Sequence, residues 1–417
     1  MKIGRSHVVG FLVATLLAIL TFSYPLRTAS AFTPLVTITV GSFPQSLVYD
    51  PGKGEIFVAN KGSGTVSIIS DTNNQLVANM NVGGFPYSLA YDSGKHEIFV
   101  VDSINGEVYG ISDESNEVIA NISLEASPSP QVSQGPFLQG IAYDAGRGEL
   151  FVASSGYGTV FVISDTSDSI VDTIQVGHNP ESVVYDSGKH EIFVCNPRST
   201  SITGSQSVTT TESFPGFMTV ISDTNDKIVA TLNGLDSCGS MVYDPMMDEV
   251  FVTQYSPGEV SVISDTSNSV VTNIPITGSL VFSGLAYDSA KSFICVLSSV
   301  NTGQPNPVTV VSDGNNSIVG NFNGGNSPWA LAYDSGRNEM FVANWGNPGL
   351  VSVIPDNAIP SSSSSLISGS NISLGIAAVI SLVAVVTLGL VYLWRRNSSN
   401  KAEDNSDRRE LGQPKIS

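Results

Sequence analysis

Side chains that do chemistry are unevenly supplied in this chain. There are four His and three Cys among 417 residues, against 37 Asp+Glu and only 18 Lys+Arg, a net charge of −19. No CxxC pair suggests zinc. His178 stands alone, and nothing near it supports a Ser–His–Asp arrangement. The aspartates recur instead. Tyr-Asp appears at Asp50, Asp92, Asp144, Asp186, Asp244, Asp288 and Asp334, and Ser-Asp follows most of them about twenty residues on, as at Asp71 and Asp113. Carboxylates used once per repeat, just before Gly-containing turns, are expected to accept backbone N–H bonds rather than to catalyse. The Ser-Asp-Thr-x-Asn turns leave a divalent cation as a possible partner. No cofactor is expected. Nucleic acid is excluded as a partner because no basic surface exists to neutralise phosphates.

The same recurrence exposes the architecture. Each unit carries four short runs rich in Val, Ile and Phe; in the first these are Ser46–Asp50, Glu55–Asn60, Thr65–Ser70 and Gln75–Val82. Thr65-Val66-Ser67-Ile68 alternates with the two-residue period of a strand, and no segment between 35 and 356 has a helical period. Seven four-stranded units of about 46 residues predict an all-β, seven-bladed β-propeller. The last unit has three runs before the chain leaves it, so its fourth strand is expected to be Leu35–Val40, a closure by the amino-terminal strand. His96 and His190 occupy one repeat position in blades two and four, about 100° apart around a sevenfold ring, too far to share a metal.

Phe57-Val58-Ala59-Asn60, Phe193-Val194-Cys195-Asn196, Phe251-Val252-Thr253-Gln254 and Phe341-Val342-Ala343-Asn344 resemble the tetrapeptide of the YVTN-type β-propeller repeat. The resemblance covers residues 35–356 and implies the propeller fold, as in archaeal surface-layer-like and bacterial secreted proteins, without implying a reaction. The sixth unit departs from it: Ser292-Phe293-Ile294-Cys295-Val296 replaces the Glu-Ile-Phe-Val run, which puts its local register in question.

The chain ends read differently. Residues 1–31 have a positive start (Lys2, Arg5), an apolar run and Ala29-Ser30-Ala31, the pattern of a cleaved signal peptide; an uncleaved anchor is the alternative. The propeller is assigned to 32–356 and a Ser-rich linker to 357–371. Ile372–Trp394 is uncharged and reaches about 34 Å as a helix, enough for a membrane span. Arg395 and Arg396 place the tail, 395–417, in the cytoplasm. The expected topology is a single-pass type I protein of the plasma membrane, with the propeller outside.

Strand order divides the propeller into two faces. First-to-second and third-to-fourth turns are short and uniform and share one face, the bottom. The long segments Ser123–Phe137, Pro197–Phe217 and Ser298–Pro307 fall on the other, the top, where repeat scaffolds usually carry function. At the top, the innermost strands begin with Gln45, Tyr87, Gln139, Glu181, Gly239, Ser283 and Trp329, each followed by Ser, Gly or Ala. A second polar ring closes the second strands, including Asn60, Asp102, Asn196, Gln254 and Asn344, with Trp345 alongside. Together these are candidate ligand-binding residues at the mouth of the central channel; a water-filled channel mouth is the alternative. Glu181 and Asp102 are the acids expected there. Cys195 and Cys238 fall at the top of adjacent blades, as a disulfide across the joint or as two buried thiols. Asn121, Asn315 and Asn371 head N-x-Ser/Thr acceptors expected outside the cell.

The function expected is a membrane-anchored binding, adhesion or envelope-structural module whose partner is an extracellular protein or glycan. The alternative is a surface enzyme of lactonase or cofactor-dependent dehydrogenase type, since propellers host both.

Overall fold

The computed structural model describes residues 36–124, 135–205, 208–276, 282–298 and 306–360. The expected signal, the span 372–394, the tail and Asn371 lie outside them. Among the described residues no helix is long and apolar enough to cross a membrane.

Each repeat folds as one four-stranded antiparallel sheet, and seven such sheets make a β-propeller. In blade 1, Pro44–Asp50, Glu55–Asn60, Thr65–Ser70 and Gln75–Asn81 pair in chain order. The second strand is buried on both faces over its whole length. That explains its nearly unbroken apolar run: a blade is sandwiched between two neighbours, so neither face of its inner strands meets water. The described side chains form seven cores, each at a joint between adjacent blades. Phe57, Val66 and Ile68 of blade 1, for example, pack on Ile98 and Val100 of blade 2. Phe57, Phe99, Phe151, Phe193, Phe251 and Phe341 are all fully buried. Burying such a ring is worth about 2–3 kcal/mol, which makes the repeated Phe the main anchor of each joint.

Closure follows the sequence expectation. Val36–Val40 pairs antiparallel with Gly349–Pro355 as the outer strand of blade 7, in the register Val36 to Val353 and Val40 to Gly349. Ile38 and Val40 join the core where blade 7 meets blade 1. Packing continues past residue 356: a 3-10 turn at Asp356–Ala358 leads to Ile359, which is buried in the joint of blades 6 and 7. Blade 6 keeps the common register, with Asp288 opposite Phe293 as Asp50 is opposite Glu55, so Phe293 takes the place of the usual Glu without displacing the strand.

Hydrogen bonds separate the two faces. At the bottom the Asp71 amide donates to Gly54 O, joining the two turns of one blade. At the top Val82 N–H donates to Gly64 O, and Gly62 N–H to Ser42 O. The long insert of blade 4 is a hairpin of Ser199–Ser205 with Val208–Phe214 rather than an irregular loop. Cys195 and Cys238 form a disulfide between blades 4 and 5, with Cα atoms 5.9 Å apart. Cys295 is a buried free thiol whose pKa burial pushes up.

The Tyr-Asp pairs knit the bottom. Asp50 Oδ1 accepts the Gly52 and Lys53 amides at 2.8 and 3.2 Å, its counterparts in blades 2, 3, 4, 6 and 7 take two amides likewise, and Asp244 of blade 5 takes that of Met246. The second carboxylate oxygen is buried and takes nothing from its own turn. The tyrosine of the next blade lies beside it across the joint, Tyr91 by Asp50, Tyr143 by Asp92, Tyr185 by Asp144 and Tyr49 by Asp334 of blade 7, while the hydroxyls of Tyr49, Tyr143 and Tyr185 donate to Asp71, Asp165 and Asp223 of their own blades at 3.4, 3.1 and 3.3 Å. Burial, followed by these aspartates, pushes the phenol pKa values up, so the hydroxyls stay protonated donors. Gly94 sits beneath such a hydroxyl; a Cβ there would lie 3.0 Å from Tyr143 Oη. A cation from each turn often adds a second tie. Lys53 Nζ donates to Asp113 O, Lys95 Nζ to Asp165 O, and Arg147 pairs with Asp226 at 2.8 Å.

Met247 stands where those cations stand, at the joint of blades 5 and 6, and Ser292 replaces the histidine of blade 2. Asp313 is pushed up to about 6 there, by burial first and by Asp244 second. Asp113, the equivalent residue beside Lys53 and His96, is raised too, but both of those groups oppose the rise.

Three outcomes are expected. Deleting residues 32–41 removes the closing strand; circular dichroism should show Tm falling by roughly 10 °C or more and a broader transition. The Cys195→Ser/Cys238→Ser variant should lose about 2–4 kcal/mol in urea unfolding. Asp313 binds its proton more tightly folded than unfolded, where its pKa is about 3.9. Its stabilising contribution is therefore full below about pH 4 and is lost as pH rises through the folded value of about 6. Thermal melts should show Tm increasing as pH falls from 7 to 5, and Asp313→Asn should be the more stable form at pH 7, with a flatter profile.

Candidate functional site

The innermost strands meet around the axis, where wedge-shaped blades are thinnest. That geometry limits the residue facing the neighbouring strand to Ser, Gly or Ala. A Cβ on Gly140 would stand 2.8 Å from Glu181 O and 2.9 Å from Val183 N of the next blade. One position earlier the side chains are free of the neighbour and turn into the channel.

The result is a cavity of about 310 Å³ at the top of the channel. Of the residues expected at the mouth, Gln45, Tyr87, Gln139, Glu181 and Trp329 line it, brought together from blades 1, 2, 3, 4 and 7. Gly239 lines it for blade 5 and offers no side chain. Tyr255, from the loop after the second strand of that blade, fills the gap: its Oη lies 2.5 Å from where a Cβ on Gly239 would be. Reading the ring position alone missed Tyr255. The available signal was a glycine in a ring of larger residues with an aromatic just beyond the second strand.

Glu181 supplies the charge in this cavity. Asn179 Nδ2 donates to its Oε1 at 2.8 Å, and its amide donates to Cys195 O at 2.9 Å, beside the disulfide. Burial raises the Glu181 pKa, which the Asn179 bond partly opposes. Tyr87 is pushed up by burial and then by Glu181; Tyr255 is pushed up to about 12 by burial, then by Glu181 and Tyr87. The three groups therefore share one electrostatic space, in which both phenols are neutral near pH 7. Lys61 Nζ lies 5.1 Å from the Tyr87 ring centroid. Trp329 is backed by Trp345 at 4.8 Å, and Trp345 by Phe43 at 5.0 Å, an aromatic ladder behind the rim.

The second polar ring does not reach the cavity, and this corrects the sequence expectation. Asn60, Asp102, Asn196, Gln254 and Asn344 are all buried within their blades, one strand further from the axis. Asn60 Nδ2 bonds Ser67 Oγ at 2.9 Å, Asn196 Nδ2 bonds Thr219 Oγ1 at 3.1 Å, Gln254 Nε2 bonds Ser261 Oγ at 2.8 Å and Asn344 Nδ2 bonds Ser352 Oγ at 3.0 Å. Asp102 is the acceptor of its loop, taking the Phe85, Ile104 and Asn105 amides. With the innermost strand between them and the channel, these side chains satisfy buried polar groups instead of a ligand. Trp345 likewise supports Trp329 and does not line the cavity. Asp102 is thus removed from the mouth, and Glu181 is its one acid among the described lining residues.

Elsewhere on the top, His178 stacks on Phe214 of the blade 4 hairpin with ring centroids 3.9 Å apart. Asn121, on the outer strand of blade 2, and Asn315, in a bottom turn of blade 6, are exposed. Among the described residues no group of three or more His, Cys, Asp or Glu is arranged to hold a metal ion.

No family model matches this sequence, and no curated protein matches it. Among solved structures, the chain is similar to Kuenenia stuttgartiensis hydrazine synthase, with a TM-score of 0.60 and 13% identity over 80% of this chain and 99% of that chain. At such identity the likeness shows the fold alone, and the chemistry must be read from the side chains of this protein.

Proposed function

We propose that this protein is a binding module of the cell envelope: a type I, membrane-anchored propeller of the YVTN-repeat kind, outside the plasma membrane, whose channel mouth takes an extracellular protein or glycan. The observation that carries this reading is the convergence of Gln45, Tyr87, Gln139, Glu181, Tyr255 and Trp329 on one cavity. Aromatic faces beside amides and a carboxylate suit stacking and hydrogen bonding to a polar ligand. The long blade 4 hairpin lies on the same face. The disulfide supports an oxidising compartment. The described chain leaves the propeller from the bottom, where Lys291 Nζ donates to Ile359 O at 3.1 Å.

Acid–base catalysis at the mouth would need a second group beside Glu181 able to exchange a proton near neutral pH. Its neighbours Tyr87 and Tyr255 are pushed away from that range. The binding reading is therefore favoured over the enzyme reading.

The test is capture by the detergent-solubilised full chain on a glycan array and from envelope extracts. Binding to a restricted set of ligands is expected, weakened roughly tenfold or more by Trp329→Ala or Tyr87→Ala. An unchanged binding pattern in both variants would move the site away from the mouth.

A further inference from the structure

The mouth carries a charge that the chain does not neutralise. Glu181 is half-buried, and among the described residues its side chain has one hydrogen-bond donor, the neutral amide of Asn179, and no ion-pair partner. Three aromatic side chains, Tyr87, Tyr255 and Trp329, line the same cavity. An aromatic ring attracts a cation through its quadrupole, most strongly where water is excluded. The molecule already shows this at the rim, where Lys61 Nζ sits over Tyr87. A desolvated carboxylate without a counter-ion is costly, and a cation bound beside it offsets that cost. The acid excess of the whole chain, 37 against 18, also concentrates cations around it.

A hard divalent ion would ask for several oxygen ligands around it, and one carboxylate among aromatic rings does not meet that need. An uncharged ligand would stack on the rings and leave Glu181 uncompensated. Resting on the mouth as the binding site, we propose that it receives a ligand presenting an organic ammonium group, with Glu181 as counter-charge and Tyr87, Tyr255 and Trp329 as the enclosing wall. The cavity of about 310 Å³ admits such a group with a short polar substituent, and Gln45 and Gln139, which flank Tyr87 on blades 1 and 3, offer amides to that substituent.

The experiment is calorimetric titration of the full chain in phosphatidylglycerol nanodiscs, which carry no ammonium head group. The probes are choline against its uncharged carbon isostere, and propylammonium against propanol. At least one ammonium compound should bind roughly tenfold or more tightly than its neutral counterpart, and Glu181→Gln should abolish that preference. The comparison of charged with neutral probes on the unaltered protein holds even if the variant fails to fold. Equal binding of charged and neutral probes, or no binding of either ammonium compound, overturns the proposal. The mouth as a binding site is judged separately: Trp329-dependent capture on the glycan array would survive either outcome, and loss of that dependence would remove the mouth itself.

Discussion

The molecule depends on closing a ring. A four-stranded blade is wedge-shaped and apolar on both faces, so no blade can shelter itself. Each of the seven cores belongs to a joint. An open row of blades would leave Phe341 on one end and Ile56 on the other facing water; joined, they form one core. The chain makes this last joint without a covalent link, by lending Val36–Val40 to blade 7. Backbone hydrogen bonds then tie the beginning of the domain to its end, and loss of this one strand reaches every blade.

Closure divides the labour between the faces. The bottom is repetitive because each joint is built alike: an aspartate holds its own turn with one oxygen and buries the other beside the tyrosine of the next blade. Cations and asparagines add ties where the sequence supplies them, as Asn74 does by donating to Glu339 across the closing joint at 3.3 Å. The joint of blades 5 and 6 lacks the cation, and Asp313, buried there beside Asp244, has its pKa pushed up.

The top is free to vary. Its connections differ in length, and the ring of residues that opens the innermost strands changes identity from blade to blade. Convergence on the axis turns that variation into a site. Six side chains from six blades enclose one cavity, in which a carboxylate without an ion-pair partner stands beside aromatic rings. The disulfide at Cys195 and the carbonyl bond from Glu181 N–H hold that carboxylate on a fixed part of the rim.

Periodicity in the chain was enough to establish the blade count, the strand order, the closing strand and the separation of faces, because each rests on local pattern. The Tyr-Asp spacing marks the blades, alternation marks the strands, and the missing fourth run in the last unit leaves one partner for Val36–Val40. The innermost ring was legible for the same reason, as a fixed offset from each Tyr. Offsets do not say which way a side chain turns. Asn60 and Asp102 stand at the same level as the mouth, yet the innermost strand screens them from it, and only packing shows that. Tyr255 enters the cavity because Gly239 leaves room, a relation between residues sixteen apart that no repeat rule contains. The placement of each tyrosine beside the aspartate of the preceding blade is of the same kind. Sequence specified what each blade is made of; the angle at which closed blades meet decided which groups face one another, and hence where the charge and the aromatic rings of the site are brought together.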